Sequence, residues 1–467
     1  MNEILKKIKN NVDLYPERIA YKNEYESITY KDLWLKASHY SKCLINQGSK
    51  PVVLYGNKEI FMIIGMLSCL LAKRAYVPID ISCPKERIKK IIDICKAELI
   101  LTNYELRINN SYSLEELDQF KEIKTISSNK TAYIIFTSGS TGDPKGVPIS
   151  YSNLLNFCNW ISDIHPLSGY NDSVIFNQSN YSFDLSVASI YYGLLNAHTI
   201  VSYNNSDFID QIDYCIKDNV EIMVATPTYI NLCLLGGNFN TNIIKTLKCI
   251  YCCGEKLDNS TAKKVLKQFP NLCLINAYGP SEATSAVTAV LITKDMINKE
   301  LPIGDIKNSA CEIKILEDEI ILYGKSVFDG YINYQNDCFI NIEEKEFYKT
   351  GDIGKIVNNK LYFIDRKDRQ IKYKGYRIVL DDIESHIKSI SNIDDAVVLT
   401  KKEKDIVIMI YAYCTSKSKI NEKHIKEQLS KKLPKYMIPK KIIQIDEMPM
   451  TNNGKIDRKV LEKYGKH

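Results

Sequence analysis

Residues 133–146 read YIIFTSGSTGDPKG, and this stretch decides how the rest of the chain is interpreted. An apolar run from Ala132 to Phe136 predicts a buried strand, and it leads into the small and hydroxylated residues 137–142. Glycines let the backbone turn its N–H groups onto an anion, the hydroxyls add donors, and Lys145 supplies a positive charge. Gly146 to Ser150 is again strand-like, unlike the phosphate loop that runs into a helix and ends in Gly-Lys-Ser/Thr. Two interpretations stay open here: a phosphate-binding loop of another kind, or a plain surface hairpin.

The composition is that of a large globular protein. The chain has 467 residues, of which 45% are hydrophobic and 25% charged, enough for two or three domains. The longest apolar run, from Ile60 to Ala72, is shorter than the ~18–20 residues of a membrane span and predicts a buried helix. The start of the chain lacks an apolar signal core, and 14 cysteines are scattered without disulfide or zinc spacing. We therefore expect a cytoplasmic protein with reduced thiols and no membrane insertion.

The positive charge is concentrated at the C-terminal end. The whole chain carries +6, whereas residues 369–467 hold 22 basic against 13 acidic residues, a net of +9. Such asymmetry favours a basic C-terminal module with an acidic partner or substrate. A solvated lysine-rich surface explains the same count equally well.

Apolar runs alternate with helical patterns along the first three hundred residues. This alternation predicts an α/β domain with mostly parallel sheets, in which ligands bind at the carboxyl ends of the strands. The predicted strands lie at Pro51–Tyr55, Ala75–Asp80, Glu98–Thr102, Val174–Asn177, Glu221–Ala225, Cys249–Glu255 and Leu272–Glu282.

The pattern changes in the last third of the chain. Short alternating runs between Ile303 and Asp365, with glycines at the turns, predict a small β subdomain. Residues 369–467 contain two strand runs and a helix and have the size of a separate α+β domain. We expect a large domain at residues 1–368 and a small C-terminal domain at 369–467.

Several motifs together resemble those of the adenylate-forming enzymes, which include amino-acid adenylation domains, acyl-CoA synthetases and luciferases. The resemblance runs from Leu33 to Lys459, nearly end to end. Within this superfamily the chain is most similar to the D-alanine–D-alanyl carrier protein ligases. The closer likeness lies in Phe183–Ser186, Cys253–Glu255 and Leu433–Pro439. The general motifs are Thr137–Gly146, Phe183–Ser186, Asn276–Glu282, Tyr348–Asp352, Arg366–Lys372 and Asn453–Asp457.

The resemblance implies that a carboxylate attacks the α-phosphorus of ATP and gives an acyl-adenylate and pyrophosphate. Lys455 is expected to bridge the carboxylate and the α-phosphate, with Thr141 and Lys145 completing the catalytic set. Glu282 is the expected Mg²⁺ ligand, because this cation takes oxygen donors. Asp352 is expected to hold the ribose hydroxyls, and a turn carboxylate after Gly351 is the structural alternative.

The other nucleotide contacts are carried over from the same motifs. Tyr278 is expected to stack on adenine and Arg366 to contact ribose or phosphate. Asp368 matches the hinge on which the small C-terminal domain moves, and Gly375 lies where the family admits a thiol arm. The full ATP set is Thr137, Ser138, Gly139, Ser140, Gly142, Gly254, Glu255, Asn276, Ala277, Tyr278, Gly279, Pro280, Ser281, Asp352, Phe363, Ile364, Asp365 and Arg366.

Asp184 indicates which kind of acid is activated. In the amino-acid branch of the family this carboxylate pairs with the α-ammonium of the substrate, and a buried ammonium needs such a partner. Capping of the following helix is the structural alternative. The other positions that match the substrate pocket are Leu185, Ala188, Val224, Tyr251, Cys253, Ala277, Ser285 and Ala286, together with Lys455.

Four residues depart from the pattern of the D-alanine ligases. Ala188 stands where those enzymes carry methionine, and Ser285 where they carry an aliphatic residue. A wider and more polar pocket admits a side chain such as that of serine, and D-alanine stays allowed because a few methylenes change discrimination by only about 1–3 kcal/mol. Asp365 and Arg74 each replace a usual glycine.

Four functions remain open on the sequence. The first is ATP-dependent activation of a small amino acid, D-alanine first, followed by transfer to the phosphopantetheine thiol of a carrier protein. The second is a stand-alone adenylation enzyme of nonribosomal peptide type for another small amino acid such as serine. An acyl- or aryl-acid CoA ligase and a non-catalytic nucleotide-binding protein are the other two. We expect a monomer that binds no nucleic acid.

Overall fold

A computed structural model of the chain describes residues 2–106, 108–119, 130–139, 143–204, 208–334, 337–373, 375–403, 406–450 and 456–464. Four predicted site residues, Ser140, Thr141, Gly142 and Lys455, therefore lie outside the described residues. Their roles stay predictions.

The helices follow the apolar periodicity of the sequence. The α-helices are α1 (Glu3–Leu14), α2 (Tyr30–Asn46), α3 (Ile60–Leu71), α4 (Lys85–Cys95), α5 (Tyr151–Asp163), α6 (Leu185–Leu195), α7 (Phe208–Lys217), α8 (Pro227–Leu235), α9 (Asn259–Gln268), α10 (Leu380–Lys388), α11 (Glu422–Ser430) and α12 (Arg458–Tyr464). Short 3₁₀-helices lie at Glu115–Gln119, Leu167–Gly169, Ser281–Ala283, Ile306–Asn308 and Lys435–Met437.

The strands are distributed along the whole chain. They are β1 (Ile19–Lys22), β2 (Ser27–Thr29), β3 (Val52–Gly56), β4 (Tyr76–Asp80), β5 (Leu99–Thr102), β6 (Ser111–Tyr112), β7 (Thr131–Thr137), β8 (Lys145–Ser150), β9 (Val174–Asn177), β10 (Thr199–Val201), β11 (Ile222–Ala225), β12 (Cys249–Cys252), β13 (Cys273–Tyr278), β14 (Thr288–Ile292), β15 (Gly304–Asp305), β16 (Glu312–Leu316), β17 (Glu319–Tyr323), β18 (Phe339–Ile342), β19 (Lys345–Val357), β20 (Lys360–Arg366), β21 (Gln370–Tyr373), β22 (Tyr376–Val379), β23 (Asp395–Glu403), β24 (Ile406–Thr415) and β25 (Lys441–Gln444).

Two sheets, both rich in parallel pairs, form the α/β part. One has the strand order β14-β13-β12-β11-β9-β10-β1-β2, and its inner strands from β13 to β1 pair in parallel. The other has the order β6-β5-β3-β4-β7-β8, with parallel pairing of β3 to β4 and β5. The predicted α/β class with parallel-rich sheets is confirmed. Because neighbouring parallel strands end at the same edge, the carboxyl ends of β9, β11, β12 and β13 lie side by side.

The most apolar helix, α3, is buried, as its composition predicts. The apolar run from Ile60 forms α3, whose residues are buried from Ile60 to Leu70. The prediction of a buried helix in this run is therefore confirmed. Among the helices that the structure describes, none has the length and apolarity needed to cross a lipid bilayer. Arg74, the unusual residue after α3, is 0% exposed, and its guanidinium donates to the carbonyls of Lys50 and Leu44 at 2.7 and 2.9 Å.

A third sheet is antiparallel and corresponds to the predicted β subdomain. Its order is β15-β20-β19-β17-β16, with β18 paired to β19. In the register of β19 with β20, Asp352 lies directly opposite Arg366. Asp365 lies exposed in β20, so its carboxylate is accommodated without disturbing the strand.

The structure divides into two compact units. The first contains residues 1–81, 95–135 and 146–367, and the second contains residues 82–94, 136–145 and 368–467. The C-terminal part of the second unit begins at Asp368. It contains the hairpin β21–β22 and a three-stranded sheet in the order β23-β24-β25. Its apolar core includes Ile378, Ile383, Ala396 and Val398.

Candidate active site

A tyrosine, a carboxylate and an arginine meet at the end of β13. The hydroxyl of Tyr278 donates to Asp352 Oδ2 at 2.6 Å, and the guanidinium of Arg366 pairs with Asp352 Oδ1. Arg366 also donates to the carbonyl of Thr350 at 3.3 Å. Tyr278 is 6% exposed and Asp352 4%. Burial, followed by the charge of Asp352, raises the pKa of Tyr278 well above its usual value, so the hydroxyl stays a donor.

This cluster contains the three kinds of group that bind a nucleotide: a hydrogen-bond acceptor, an aromatic ring and a cation. A carboxylate accepts hydrogen bonds from sugar hydroxyls, a tyrosine ring offers a stacking surface, and an arginine binds phosphate or ribose oxygens. Asp352 is fixed by two partners on different strands, so its orientation is set before a ligand arrives. The residues present therefore fit an ATP site.

Glu282 lies just beyond the same strand, in the 3₁₀-helix that follows Pro280. Its side chain is 0% exposed, and the hydroxyl of Tyr331 donates to Glu282 Oε1 at 2.6 Å. The described residues contain no group of three or more His, Cys, Asp or Glu side chains arranged to hold a metal ion. A single fixed carboxylate suits Mg²⁺, which takes its other oxygen ligands from phosphates and water.

The backbone after Glu282 is strained. Thr284 and Ser285 both have positive φ, 61° and 71°, although neither is glycine. The amide of Ala286 donates to the carbonyl of Thr284 at 2.9 Å, which makes Ser285 the centre of a γ-turn of the rare kind. A Cβ at Gly279 would lie 2.5 Å from Ala286 Cα, so only glycine allows this close approach. Strain of this kind concentrates at functional sites.

The opening motif begins in β7 and ends in β8, as the apolar runs on either side of it predict. Thr137 and Ser138 are 9% and 4% exposed. A Cβ at Gly139 would lie 2.3 Å from the carbonyl oxygen of Asp143, so the turn requires glycine. Lys145 is half-buried at the start of β8. The phosphate-binding role of these residues stays a prediction.

Ser138 is engaged by the hairpin β21–β22. Its hydroxyl donates to the carbonyl of Arg377 at 3.1 Å and accepts from the amide of Val379 at 3.0 Å. Gly375, with φ of 82°, lies at the turn of this hairpin. Asp368, the predicted hinge, accepts a hydrogen bond from the amide of Gln370 at 3.1 Å. In this conformation both hydrogen bonds of the Ser138 hydroxyl are made to the backbone of the hairpin β21–β22.

Asp184 lies at the N-terminus of α6 but does not cap it. No hydrogen bond runs from the first-turn amides of α6 to its side chain, so the capping alternative finds no support. Asp184 is half-buried and electrostatically close to two buried tyrosines, Tyr133 and Tyr251. Burial is the main cause that raises the pKa of both hydroxyls well above the usual value, and the charge of Asp184 adds to it.

Cys253 and Ser285 belong to the same neighbourhood. The thiol of Cys253 contacts the carbonyl of Ser285 at 3.9 Å, and Cys253 also adds to the raised pKa of Tyr251. The hydroxyls of Tyr251 and Ser285 are buried and have no hydrogen-bond partner in the part of the chain that the structure describes. The Cys253–Ser285 contact and the electrostatic influence of Asp184 and Cys253 on Tyr251 bring these four pocket positions into one neighbourhood. The remaining pocket positions, all buried, are Leu185, Ala188, Val224, Ala277 and Ala286.

Tyr133 is the one member of this neighbourhood that the sequence does not single out. It lies in β7, and its hydroxyl is a further buried group without a hydrogen-bond partner among the described residues. Its ring stacks on Tyr76 at 5.6 Å. A tyrosine in an apolar strand looks like ordinary core, so only the fold reveals that its buried hydroxyl lies within electrostatic range of Asp184.

Several predicted nucleotide residues have structural partners. Glu255 Oε2 accepts from the amide of Thr228 at 2.9 Å and so caps α8, while Gly254 has φ of 92°. The side-chain amide of Asn276 donates to the carbonyl of Pro302 at 2.8 Å. The other predicted nucleotide residues differ in exposure. In β20, Phe363 is half-buried, and Ile364 and Asp365 are exposed. After β13, Pro280 and Ser281 are half-buried.

Comparison with known proteins gives concordant matches. The AMP-binding enzyme family matches residues 8–332, and the AMP-binding enzyme C-terminal domain matches residues 382–455. The chain is 33% identical to a D-alanine–D-alanyl carrier protein ligase of Bacillus licheniformis, over 98% of this chain and 99% of that protein. It is 35% identical to the ligase of that name from Listeria innocua, over 98% of both chains. A Vibrio cholerae adenylation domain in complex with glycyl-adenosine-5'-phosphate has the same fold, with a TM-score of 0.88, 21% identity, and coverage of 100% of this chain and 98% of that one.

Proposed function

Since this chain belongs to the AMP-binding enzyme family, we propose that it is an ATP-dependent, AMP-forming ligase for a small amino acid. D-alanine is the first candidate, because the named relatives are D-alanine ligases over nearly their full length. The activated amino acid then passes to the phosphopantetheine thiol of a carrier protein. The observation that carries the choice of an amino acid is the half-buried, non-capping Asp184 beside Tyr251, Cys253 and Ser285.

The reaction brings two anions together, so the site must neutralise charge. The amino-acid carboxylate attacks the α-phosphorus of ATP, and pyrophosphate leaves. We assign the α-ammonium of the substrate to Asp184 and the ribose hydroxyls to Asp352. Lys455 is assigned to the carboxylate and α-phosphate, and the loop from Thr137 to Lys145 to the leaving pyrophosphate.

The proposal extends to the cation and the cell compartment. Glu282 would hold Mg²⁺, which supplies positive charge to the phosphate oxygens. Asp368 would be the hinge between residues 1–368 and 369–467. We propose a cytoplasmic monomer with the carrier protein as its protein partner.

A second candidate is activation of a different small amino acid, such as serine, by an enzyme of the nonribosomal peptide type. The observation that favours it is the combination of Ala188, which is 0% exposed and small, with the buried hydroxyl of Ser285. The chemistry is the same in both candidates. Only the side chain of the substrate and the identity of the carrier differ.

Amino-acid-dependent exchange of pyrophosphate into ATP tests the proposal. The panel contains glycine and both enantiomers of alanine, serine and other small amino acids. We expect exchange with at least one of them and the highest kcat/KM with D-alanine. A higher value for serine selects the second candidate, and no exchange with any member of the panel rejects both.

A further inference from the structure

A buried lysine outside the candidate site touches the turn that leads to Asp184. Lys58 lies between β3 and α3 and is 3% exposed. Its ammonium donates to the backbone carbonyls of Gln178 at 2.6 Å and Asn177 at 3.3 Å. Throughout the described part of the chain, no carboxylate comes within ion-pair distance of this ammonium. A buried cation satisfied mainly by carbonyls is costly, so its presence requires a reason.

The backbone carbonyl of Lys58 is also linked to the middle of that turn, through two tyrosine hydroxyls. The carbonyl of Lys58 accepts from the hydroxyl of Tyr21 at 2.7 Å, and Tyr181 donates to the Tyr21 hydroxyl at 2.6 Å. Gln178 and Tyr181 both belong to the turn between β9 and α6. Lys58 therefore connects to this turn at two points, through its side chain and through its backbone.

The turn transmits these contacts to Asp184. The amide of Phe183 donates to the carbonyl of Asn180 at 3.0 Å, which closes the turn immediately before Asp184. The hydroxyl of Ser189, in α6, donates to Asn177 Oδ1 at 2.6 Å. A shift of the carbonyls that Lys58 binds therefore moves the start of α6 and the Asp184 carboxylate with it.

We propose that Lys58 is a positioning residue for amino-acid binding, because its buried ammonium fixes the turn that places Asp184. This inference rests on the proposed function, which assigns Asp184 to the substrate ammonium. Burial lowers the pKa of Lys58 to about 8, while Glu24 and Asp80 oppose that shift, so the group is mostly protonated at pH 7. Lys58 lies on one side of the turn, and the substrate ammonium binds Asp184 at its end.

The test compares two buried cations that bind only backbone carbonyls. Lys58→Met removes the cation at the turn, and Arg74→Met removes the one that holds Lys50 and Leu44, away from the candidate site. KM for the amino acid and KM for ATP are measured separately by pyrophosphate exchange, with thermal unfolding alongside. We expect Lys58→Met to raise the amino-acid KM about tenfold and to leave the ATP KM within twofold. Arg74→Met should change neither KM, although both variants lower the melting temperature.

A milder variant keeps the proposal testable where Lys58→Met fails to fold. Tyr181→Phe removes only the hydroxyl that links the turn to Tyr21, and we expect a smaller rise in the amino-acid KM, about threefold, with the ATP KM unchanged. An unchanged amino-acid KM in these variants of an active enzyme overturns the role of Lys58 and leaves the proposed function intact. Equal rises in both KM values assign Lys58 to stability alone. Absence of exchange by the wild type overturns both proposals.

Discussion

Replacement of Tyr278 by phenylalanine separates the hydroxyl from the ring. The hydroxyl donates to Asp352 at 2.6 Å in a nearly dry environment, and hydrogen bonds to a charged acceptor contribute about 1.5–3 kcal/mol. The ring, which we assign to adenine, stays in place. Arg366 still pairs with Asp352, but the carboxylate loses the partner that fixes its second oxygen. Because about 1.4 kcal/mol corresponds to tenfold, loss of this orientation should raise the ATP KM roughly tenfold.

The chain contains a matched control for this change. Tyr203 is 1% exposed and donates to Asp218 Oδ2 at 2.7 Å, and Asp218 pairs in turn with Lys22. Tyr203→Phe therefore removes the same kind of bond away from the candidate site.

Both variants should lose similar stability in urea unfolding. Only Tyr278→Phe should raise the ATP KM in pyrophosphate exchange, with the amino-acid KM unchanged. An unaltered ATP KM for Tyr278→Phe, or an equal rise for Tyr203→Phe, refutes the assignment of this cluster to ATP.

Other changes address the amino acid, the pH dependence and the carrier. Asp184→Ala should raise the amino-acid KM by roughly 100-fold, while the ATP KM stays within twofold. Breaking a buried ion pair costs about 3–5 kcal/mol, and Asp184, which is half-buried, belongs at the low end of that range. Equal rises of both KM values in exchange assays mark Asp184 as structural. Burial lowers the pKa of His198 from 6.5 to about 4, so the unfolded chain takes up the proton first as pH falls. Through this group the wild type should lose about 3 kcal/mol of unfolding free energy between pH 6.5 and pH 4. In urea unfolding at each pH, His198→Asn should lack this loss. Parallel pH profiles of the wild type and the variant contradict the prediction. Lys431 and Lys435 are exposed, and residues 428–445 contain no carboxylate. Replacement of both Lys431 and Lys435 by glutamate should slow transfer of the amino acid to the carrier about tenfold at low salt and leave pyrophosphate exchange unchanged. Transfer at the wild-type rate shows that the carrier binds another surface.

The sequence predicts those parts of the fold that local patterning controls. The strands around the opening loop, the buried helix from Ile60 and the antiparallel subdomain all follow from apolar runs and turn residues. Local patterning also predicts that polar groups gather at the carboxyl ends of the strands, but the individual site residues come from the resemblance of the motifs to those of the adenylate-forming enzymes. Contacts between distant segments are another matter. Nothing in the local pattern shows that Tyr278 bonds Asp352, because that bond depends on how β13 meets the third sheet.

Single residues with ordinary surroundings are the hardest to interpret from sequence. Lys58 follows a strand and precedes a helix, where a lysine is usually solvated, and only the fold reveals that it is buried against Asn177 and Gln178. Tyr133 fits an apolar strand, and the local sequence gives no sign that its hydroxyl lies within electrostatic range of Asp184. In both cases the chemistry arises from burial, which depends on packing between elements far apart in the chain.

The distribution of backbone strain supports a functional origin for the segment after Glu282. Most other non-glycine residues with positive φ are exposed Asn, Asp, Glu or Lys in turns, where the left-handed conformation costs little and solvent satisfies the backbone. Thr284 and Ser285 are consecutive and 0% and 2% exposed, and threonine is β-branched, so the conformation is costly there. Thr284 Oγ1 donates to the carbonyl of Ser326 at 2.7 Å, which holds the strained turn in place. Folding alone gains nothing from a buried serine hydroxyl that has no hydrogen-bond partner among the described residues. We therefore interpret the cost of this conformation as what fixes Glu282 just before the turn and Ser285 at its centre.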